Sequence, residues 1–425
     1  MIIYILILIL ILIFLHMPII FAFGVGSLIY ALFAHLNLVI IAQRIFVIMD
    51  NFTLLCIPLF LFAANLMNGG GTTKKILNLS NSLVGHIRGG LGHVNVVSSM
   101  LFAGISGSAA ADASGLGSLE IEMMDKAGYN RNFSAAITLA SSTIGPIIPP
   151  SIIMVIYGIT ANVSIGGLFL GGIIPGVLMG IMLMLMVYII SRNKNFPVSK
   201  KASLNEIFHN LFIAIPSLLV GLIIVGGILG GIFTPSEAGA VAAVYAFILG
   251  VFVYKEIKFK DLKRIILDTA ISSAMIMIIV GISGLFSWIL AMEQVPQSIV
   301  NYVFSLTSNK MVILLLLNCM ILILGCFLDA TPIILIVVPV LLPLLQKVGI
   351  DLLHFGVIIS LNTMIGLITP PVGVCLYAVS SVAKIPVEKI IKPLIPFFIM
   401  LVIALLIVTY VPSLVLFLPN LILSR

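Results

Sequence analysis

Residues 101–118 read LFAGISGSAAADASGLGS, eighteen positions holding four Gly, four Ser, five Ala and one Asp. They interrupt a chain of 425 residues that is 61% hydrophobic and 8% charged, with a mean hydropathy of +1.32. A soluble domain carries about 25% charged residues. Apolar runs of roughly 20 residues, enough to cross ~30 Å of hydrocarbon, recur along this chain instead. They are continuous rather than alternating, which excludes a β-barrel and predicts an all-α polytopic membrane protein. In hydrocarbon every backbone polar group needs a partner, so small polar residues at membrane depth mark backbone that faces protein or a wet cavity. The quoted stretch is such a place.

Charge places the loops. Spans are expected at 18–34, 54–67, 135–159, 168–190, 211–233, 238–254, 265–291, 355–379 and 394–418, and the apolar run 1–15 adds a short further one. The connection 191–206 carries Arg192, Lys194, Lys200 and Lys201, and 255–264 carries five bases, so both are expected on the cytoplasmic side. The formal charge of +7 is thereby placed in membrane-flanking loops, and no nucleic-acid partner is implied. Counting spans from those loops, 92–126 must enter and leave on the cytoplasmic side and 311–346 on the outer side. Both are read as re-entrant hairpins, giving roughly ten to eleven transmembrane helices in all. Residues 72–86 read as an interfacial helix, Trp288 as an interfacial anchor, and Glu120, Glu122 and Asp125 as the headgroup-level end of the first hairpin. The four cysteines lie in apolar runs without CxxC spacing and read as buried thiols.

The hairpins are copies. Gly104 and Gly325, Lys126 and Lys347, Gly128 and Gly349, and Pro149 and Pro370 are each 221 residues apart. The last pair lies in matching motifs, GPIIPPS at 145–151 and GLITPPV at 366–372. Five spans separate the copies, an odd number, so they face opposite ways. Inverted repeats with broken helices are the signature of secondary transporters, although channels and passive exchangers also contain them.

Prolines 146, 149 and 150 remove amide donors and free carbonyls one turn earlier. Such hard oxygens suit Na⁺, and half-helix N-termini suit a carboxylate. Asp112 and Asp329 are functional candidates because a carboxylate at mid-membrane costs about 2.5–3.5 kcal/mol. Helix capping is the alternative for both. Ser106 and Ser108 are candidates for binding or for close packing, and Asn362 and Thr363 precede the second break. Neither hairpin nor broken helix contains arginine within its apolar part. A membrane-embedded enzyme using Asp112 and Asp329 together finds no catalytic spacing in its support, and no nucleotide-binding motif is present.

The stretches GHVNVVSSMLFAGISGSAAADASGLG, IGPIIPPSIIMVIYG and HFGVIISLNTMIGLITPPVG resemble the large membrane subunit of tripartite ATP-independent periplasmic (TRAP) transporters, from about residue 18 to the C-terminus. The resemblance implies an elevator-type, Na⁺-coupled importer of an organic acid in the bacterial inner membrane. It also implies two partners, a periplasmic substrate-binding protein and a small four-helix membrane subunit on a separate chain. It divides the chain into scaffold helices at 1–91 and 191–310 and transport repeats at 92–190 and 311–425. Two or more Na⁺ ions are expected where each tip meets its broken helix. One site would use Gly104, Ser106, Ser108, Ser141 and Gly145, and the other Gly325, Asp329, Asn362, Gly366 and Thr369. Substrate is expected near Ser106, Ser108, Asp112, Ser151 and Asp329. The first hairpin's wording leans toward sialic-acid transporters, and the second repeat's toward C4-dicarboxylate and sugar-acid transporters.

Overall fold

The computed structural model describes residues 1–15, 17–192 and 196–423. His16, at the end of the first apolar run, and Lys194, in the first basic connection, lie outside the described residues. The chain opens with α1 (Ile2–Phe14), α2 (Ile19–Phe33), α3 (Leu38–Met49), α4 (Cys56–Gly69) and α5 (Thr72–Val84). Next come α6 (Gly90–Ser106) and α7 (Ala109–Ala111), which runs on through a π turn (Asp112–Leu116) into α8 (Gly117–Lys126). Then come α9 (Arg131–Ser142), α10 (Ile152–Ala161) and α11 (Ile165–Ser191), and after them α12 (Leu204–Leu229), α13 (Pro235–Ile248), α14 (Phe259–Met292) and α15 (Val295–Leu306). The second half contains α16 (Lys310–Gly325), α17 (Ala330–Val348), α18 (Leu352–Gly366), α19 (Val374–Ala383), α20 (Val387–Tyr410) and α21 (Ser413–Leu423). No strand occurs among the described residues, and seven helical stretches there are long and apolar enough to span a membrane.

The repeat expected from the sequence is visible as element order. An amphipathic helix, a helical hairpin, a broken helix and a long apolar helix occur as α5 to α11 and again as α15 to α20. Both breaks have chemical causes. Gly145 and the prolines stop α9, and the chain re-forms as α10 only where the Ser151 hydroxyl accepts the Met154 N–H at 3.2 Å. In the second copy α18 ends at Gly366, and α19 begins after Gly373, whose φ of +38° favours glycine. The Pro149–Pro150 and Pro370–Pro371 peptide bonds are both cis.

The two copies interlock rather than standing side by side. Helix α10 of the first lies on hairpin arm α17 of the second, and α19 of the second lies on α8 and α9 of the first. Each broken helix is tied to the other at its ends. The Tyr157 hydroxyl, on α10, donates to the Leu352 carbonyl at the start of α18 (2.6 Å). Arg131 Nε, at the start of α9, donates to the Ala383 carbonyl at the end of α19 (2.8 Å).

Several expectations needed adjustment. Helices α3 and α15 were not anticipated. No residue of α3 is buried, and it lies along α14 with Arg44 4.9 Å above the Trp288 ring. The last expected span divides near Val411 into α20 and α21. Cys56 and Cys375 are buried as expected, but Cys319 is exposed on α16 and Cys326 half-buried, and all four are free. The acidic end of the first hairpin also differs. Glu122 and Asp125 are exposed and paired with Lys126 and Arg131 at 2.6 and 3.0 Å, whereas Glu120 is completely buried.

Candidate functional site

The first hairpin turns at Gly107, φ +57°, where a Cβ would run into the Pro150 carbonyl. A Cβ on Gly104 would come within 3.9 Å of the Pro149 carbonyl, and one on Gly145 would lie 3.6 Å from the Ser108 carbonyl. Tip and break are therefore in backbone contact, and at Gly107 only glycine permits it. Outside them, Gly221 of α12 approaches the Gly104 carbonyl closely. Within this junction the Ser106 hydroxyl is buried and has no hydrogen-bond partner. Ser141 donates to Asn95 Oδ1 at 2.7 Å, and Asn95 donates to Thr138 at 2.7 Å. The expected first ion site is thus split. Gly104, Ser106, Ser108 and Gly145 meet at the tip, whereas the Ser141 hydroxyl is engaged toward α6.

The second tip repeats this arrangement more tightly. A Cβ on Gly325 would stand 2.9 Å from Gly366 Cα, and one on Gly366 would stand 2.5 Å from Gly325 Cα. The Val372 N–H donates to the Cys326 carbonyl at 3.1 Å and joins tip to break. Asn362 donates to the Asn318 carbonyl and side chain at 2.9 and 2.8 Å, which leaves its own Oδ1 buried without a partner. The Thr369 hydroxyl donates to the Ile365 carbonyl at 2.7 Å, so its lone pairs stay free to accept. Position 108 plus the repeat offset is Asp329, and both residues are N-caps, of α7 and α17. The Ser108 hydroxyl accepts the Ala111 N–H (3.4 Å), while the Asp329 carboxylate makes no such cap bond.

Between the tips lies a cavity of about 160 Å³. Its wall includes Ala109 and Ala110, Ile152 and Ile153, Ala330 and Thr331, and Val374 and Cys375. These are the first two residues of α7, α10, α17 and α19. Four helix N-termini therefore converge on one small space, each with about half a positive charge, although at α19 the Cys375 N–H is already taken by the Leu367 carbonyl at 3.1 Å. Among the described residues no Lys or Arg lines it, and Asp329 contributes the one carboxylate. Leu61 of α4 and Ile276 of α14 close it from outside the hairpins. Such an arrangement favours negative charge in the space it surrounds.

Of the expected substrate residues, Ser108 and Asp329 reach this cavity. Ser106 lies in the tip junction, the Ser151 hydroxyl is committed to its helix cap, and Asp112 is buried behind the tip beside Ser99. The apolar wall, with Ile152, Ile153, Met364 and Leu367, was not picked out from the sequence, where it is indistinguishable from the surrounding apolar runs.

The chain matches the family model described as tripartite ATP-independent periplasmic transporter, DctM component, over residues 6–414. It is 45% identical over 383 residues to the sialic acid TRAP transporter large permease protein SiaM of Vibrio cholerae, covering 90% of each chain. To the C4-dicarboxylate TRAP transporter large permease protein DctM of Pseudomonas aeruginosa it is 40% identical over 395 residues, covering 93% of this chain and 92% of that one. Among solved structures, the YdaH transporter of Alcanivorax borkumensis superposes with a TM-score of 0.56 at 16% identity, over 82% of this chain and 84% of that one, a likeness of fold. With interlocked hairpins and broken helices in a multi-pass membrane chain, and this match across nearly its whole length, the protein belongs to the DctM-component family of tripartite ATP-independent periplasmic transporters.

Proposed function

We propose that the chain imports an organic acid anion, coupled to Na⁺ and driven by an elevator movement of the two hairpin repeats against α4, α12, α13 and α14. The observation that carries this reading is the convergence of four helix N-termini on one cavity without a basic side chain. Such a cradle grips a carboxylate through amides, and it loses no side-chain cation when the site moves. The orphaned Ser106 hydroxyl and Asn362 Oδ1, each beside a contact between a hairpin tip and its broken helix, support cation binding there, with Gly104, Ser108 and Gly145 at one tip and Gly325, Asp329, Gly366 and Thr369 at the other. Bound Na⁺ would supply positive charge next to Asp329, which otherwise repels the substrate anion. Energetically, each ion entering down ~100 mV contributes about 2.3 kcal/mol, plus about 1.4 for a tenfold gradient. Two ions give about 7 kcal/mol, and after one monovalent anion is moved about 5 remain.

Sialic acid is the favoured substrate, because the SiaM relative shares 45% identity against 40% for the DctM relative; a C4-dicarboxylate or sugar acid is the other reading that relatives support. Delivery by a periplasmic binding protein and bracing by a small membrane subunit complete the machine, in the bacterial inner membrane. The test is uptake of labelled sialic acid into proteoliposomes. Uptake is expected only with a Na⁺ gradient, the small subunit and the binding protein together. Equal uptake with K⁺, or by this chain alone, would refute the coupled, three-part reading, and flux without saturation would favour a passive channel.

A further inference from the structure

Hairpin one contains two buried carboxylates whose roles the transport cycle outlined above does not supply. Glu120 on α8 is 0% exposed and Asp112 on the π turn 2%. Ser98 of α6 donates to Glu120 Oε1, while Glu120 Oε2 and Asp112 Oδ2 are both buried without a hydrogen-bond partner. Asp112, a like charge, is within electrostatic reach of Glu120. No ion pair reaches either residue among the described residues. The titratable groups on elements that pack against α8 are His93 on α6, Asp112 itself, Arg131 on α9, and Cys375 and Tyr377 on α19. Arg131 is held at the surface by Asp125 and the Ala383 carbonyl, and His93 Nε2 faces the Arg88 carbonyl. On α8 itself, Glu122, Asp125 and Lys126 belong to the exposed end, Glu122 pairing with Lys126 and Asp125 with Arg131. Among the described residues, no cation neutralises Glu120.

The repeat provides an internal control. The residues 221 positions on from Asp112 and Glu120 are Ile333 and Leu341, fully buried in the same arm of hairpin two. The fold fills this place with hydrocarbon when packing is the only demand. Polar residues also surround the acids. Asn95, Ser98 and Ser99 on α6 and Thr138 and Ser141 on α9 form a buried hydrophilic thread, and a Cβ on Gly117, one turn before Glu120, would press on Thr138. An unpaired carboxylate in so dry a place costs far more than an apolar residue would.

We infer that Glu120, with Ser98 and the Asp112 carboxylate behind the tip, forms a binding site for one monovalent cation, a proton or an alkali ion, that is separate from the sites at the two tips. The inference deepens the transport reading by adding one positive charge to the load carried by hairpin one. Asp112 then links this site to the tip, since it stands four residues beyond Ser108 on the same continuous arm.

The test measures binding rather than flux, so it stands or falls independently of the uptake assay. Thermal unfolding of the purified full chain is followed against Na⁺ concentration with choline as the balancing ion, and separately against pH. The slope of stability against the logarithm of cation concentration counts ions bound by the folded state. In Glu120→Leu, the residue that hairpin two uses, one of the two slopes should fall by one ion relative to wild type. A fall in the Na⁺ series identifies an alkali ion and a fall in the pH series a proton. Glu120→Gln, which keeps the shape and the Ser98 contact, should give the same loss. Unchanged slopes in both series would overturn the inference. So would failure of both variants to fold, since the carboxylate would then be a structural acceptor.

Discussion

At the scale of single residues, glycine is decisive at the second tip. Overpacking a filled interior costs about 1–3 kcal/mol, and Gly366 has only the Gly325 backbone in front of it. Gly366→Ala is therefore expected to lower the unfolding midpoint and cut uptake by about tenfold or more, measured at matched protein levels; wild-type values for both would refute the contact. Asp329→Asn tests charge instead of shape. Its membrane level should match wild type while Na⁺-dependent uptake is lost, and ordinary kinetics would remove Asp329 from the site. The sequence marked Gly325, Gly366 and Asp329 as interruptions of apolar runs, which is how they were found. Glu120 was misread because its neighbours Glu122 and Asp125 are exposed, and a cluster of acids at a helix end looks uniformly wet. Burial on one face of α8 depends on α6 and α9, which no local pattern reports.

At the scale of elements, hairpins and broken helices were legible because proline and glycine act locally and the repeat doubled the signal. Helix α15 was not, since VPQSIVNYVFSL is short and follows directly on the 34 residues of α14. Its counterpart α5 stood out through Thr72, Thr73, Lys74 and Lys75. Similarly, α3 has no buried face from which an apolar stripe might be read. The ties between the broken helices were invisible beforehand because each joins a side chain to a carbonyl more than 190 residues away. A net hydrogen bond is worth about 1 kcal/mol. Tyr157→Phe should accordingly destabilise the chain by about that amount, read as a lowered unfolding midpoint, with little change in the affinity for substrate. An unaltered midpoint would show that the Leu352 carbonyl finds another donor.

At the scale of the whole molecule, parity and charge predicted two opposed copies, and the structure shows how they mesh, α10 on α17 and α19 on α8. That crossing was beyond sequence reasoning, because it depends on long-range packing rather than on any motif. It makes the hairpins and broken helices one body, against which Leu61 and Ile276 stand as foreign walls of the cavity. If the body slides, linking it to a wall stops the cycle. Leu61→Cys with Ala330→Cys, in a background lacking the native cysteines, should lose uptake on oxidation and regain it on reduction. Full uptake in the cross-linked state would exclude sliding at that face.

The cavity's four amide-bearing helix starts have a further consequence. A main-chain N–H is common to all residues but proline, so the attraction for negative charge is written into the path of the chain rather than into any one codon. Under the proposed anion binding, mutation would be free to reshape Ile152, Ile153, Thr331 or Val374 around acids of different bulk while the grip on the charged end persisted.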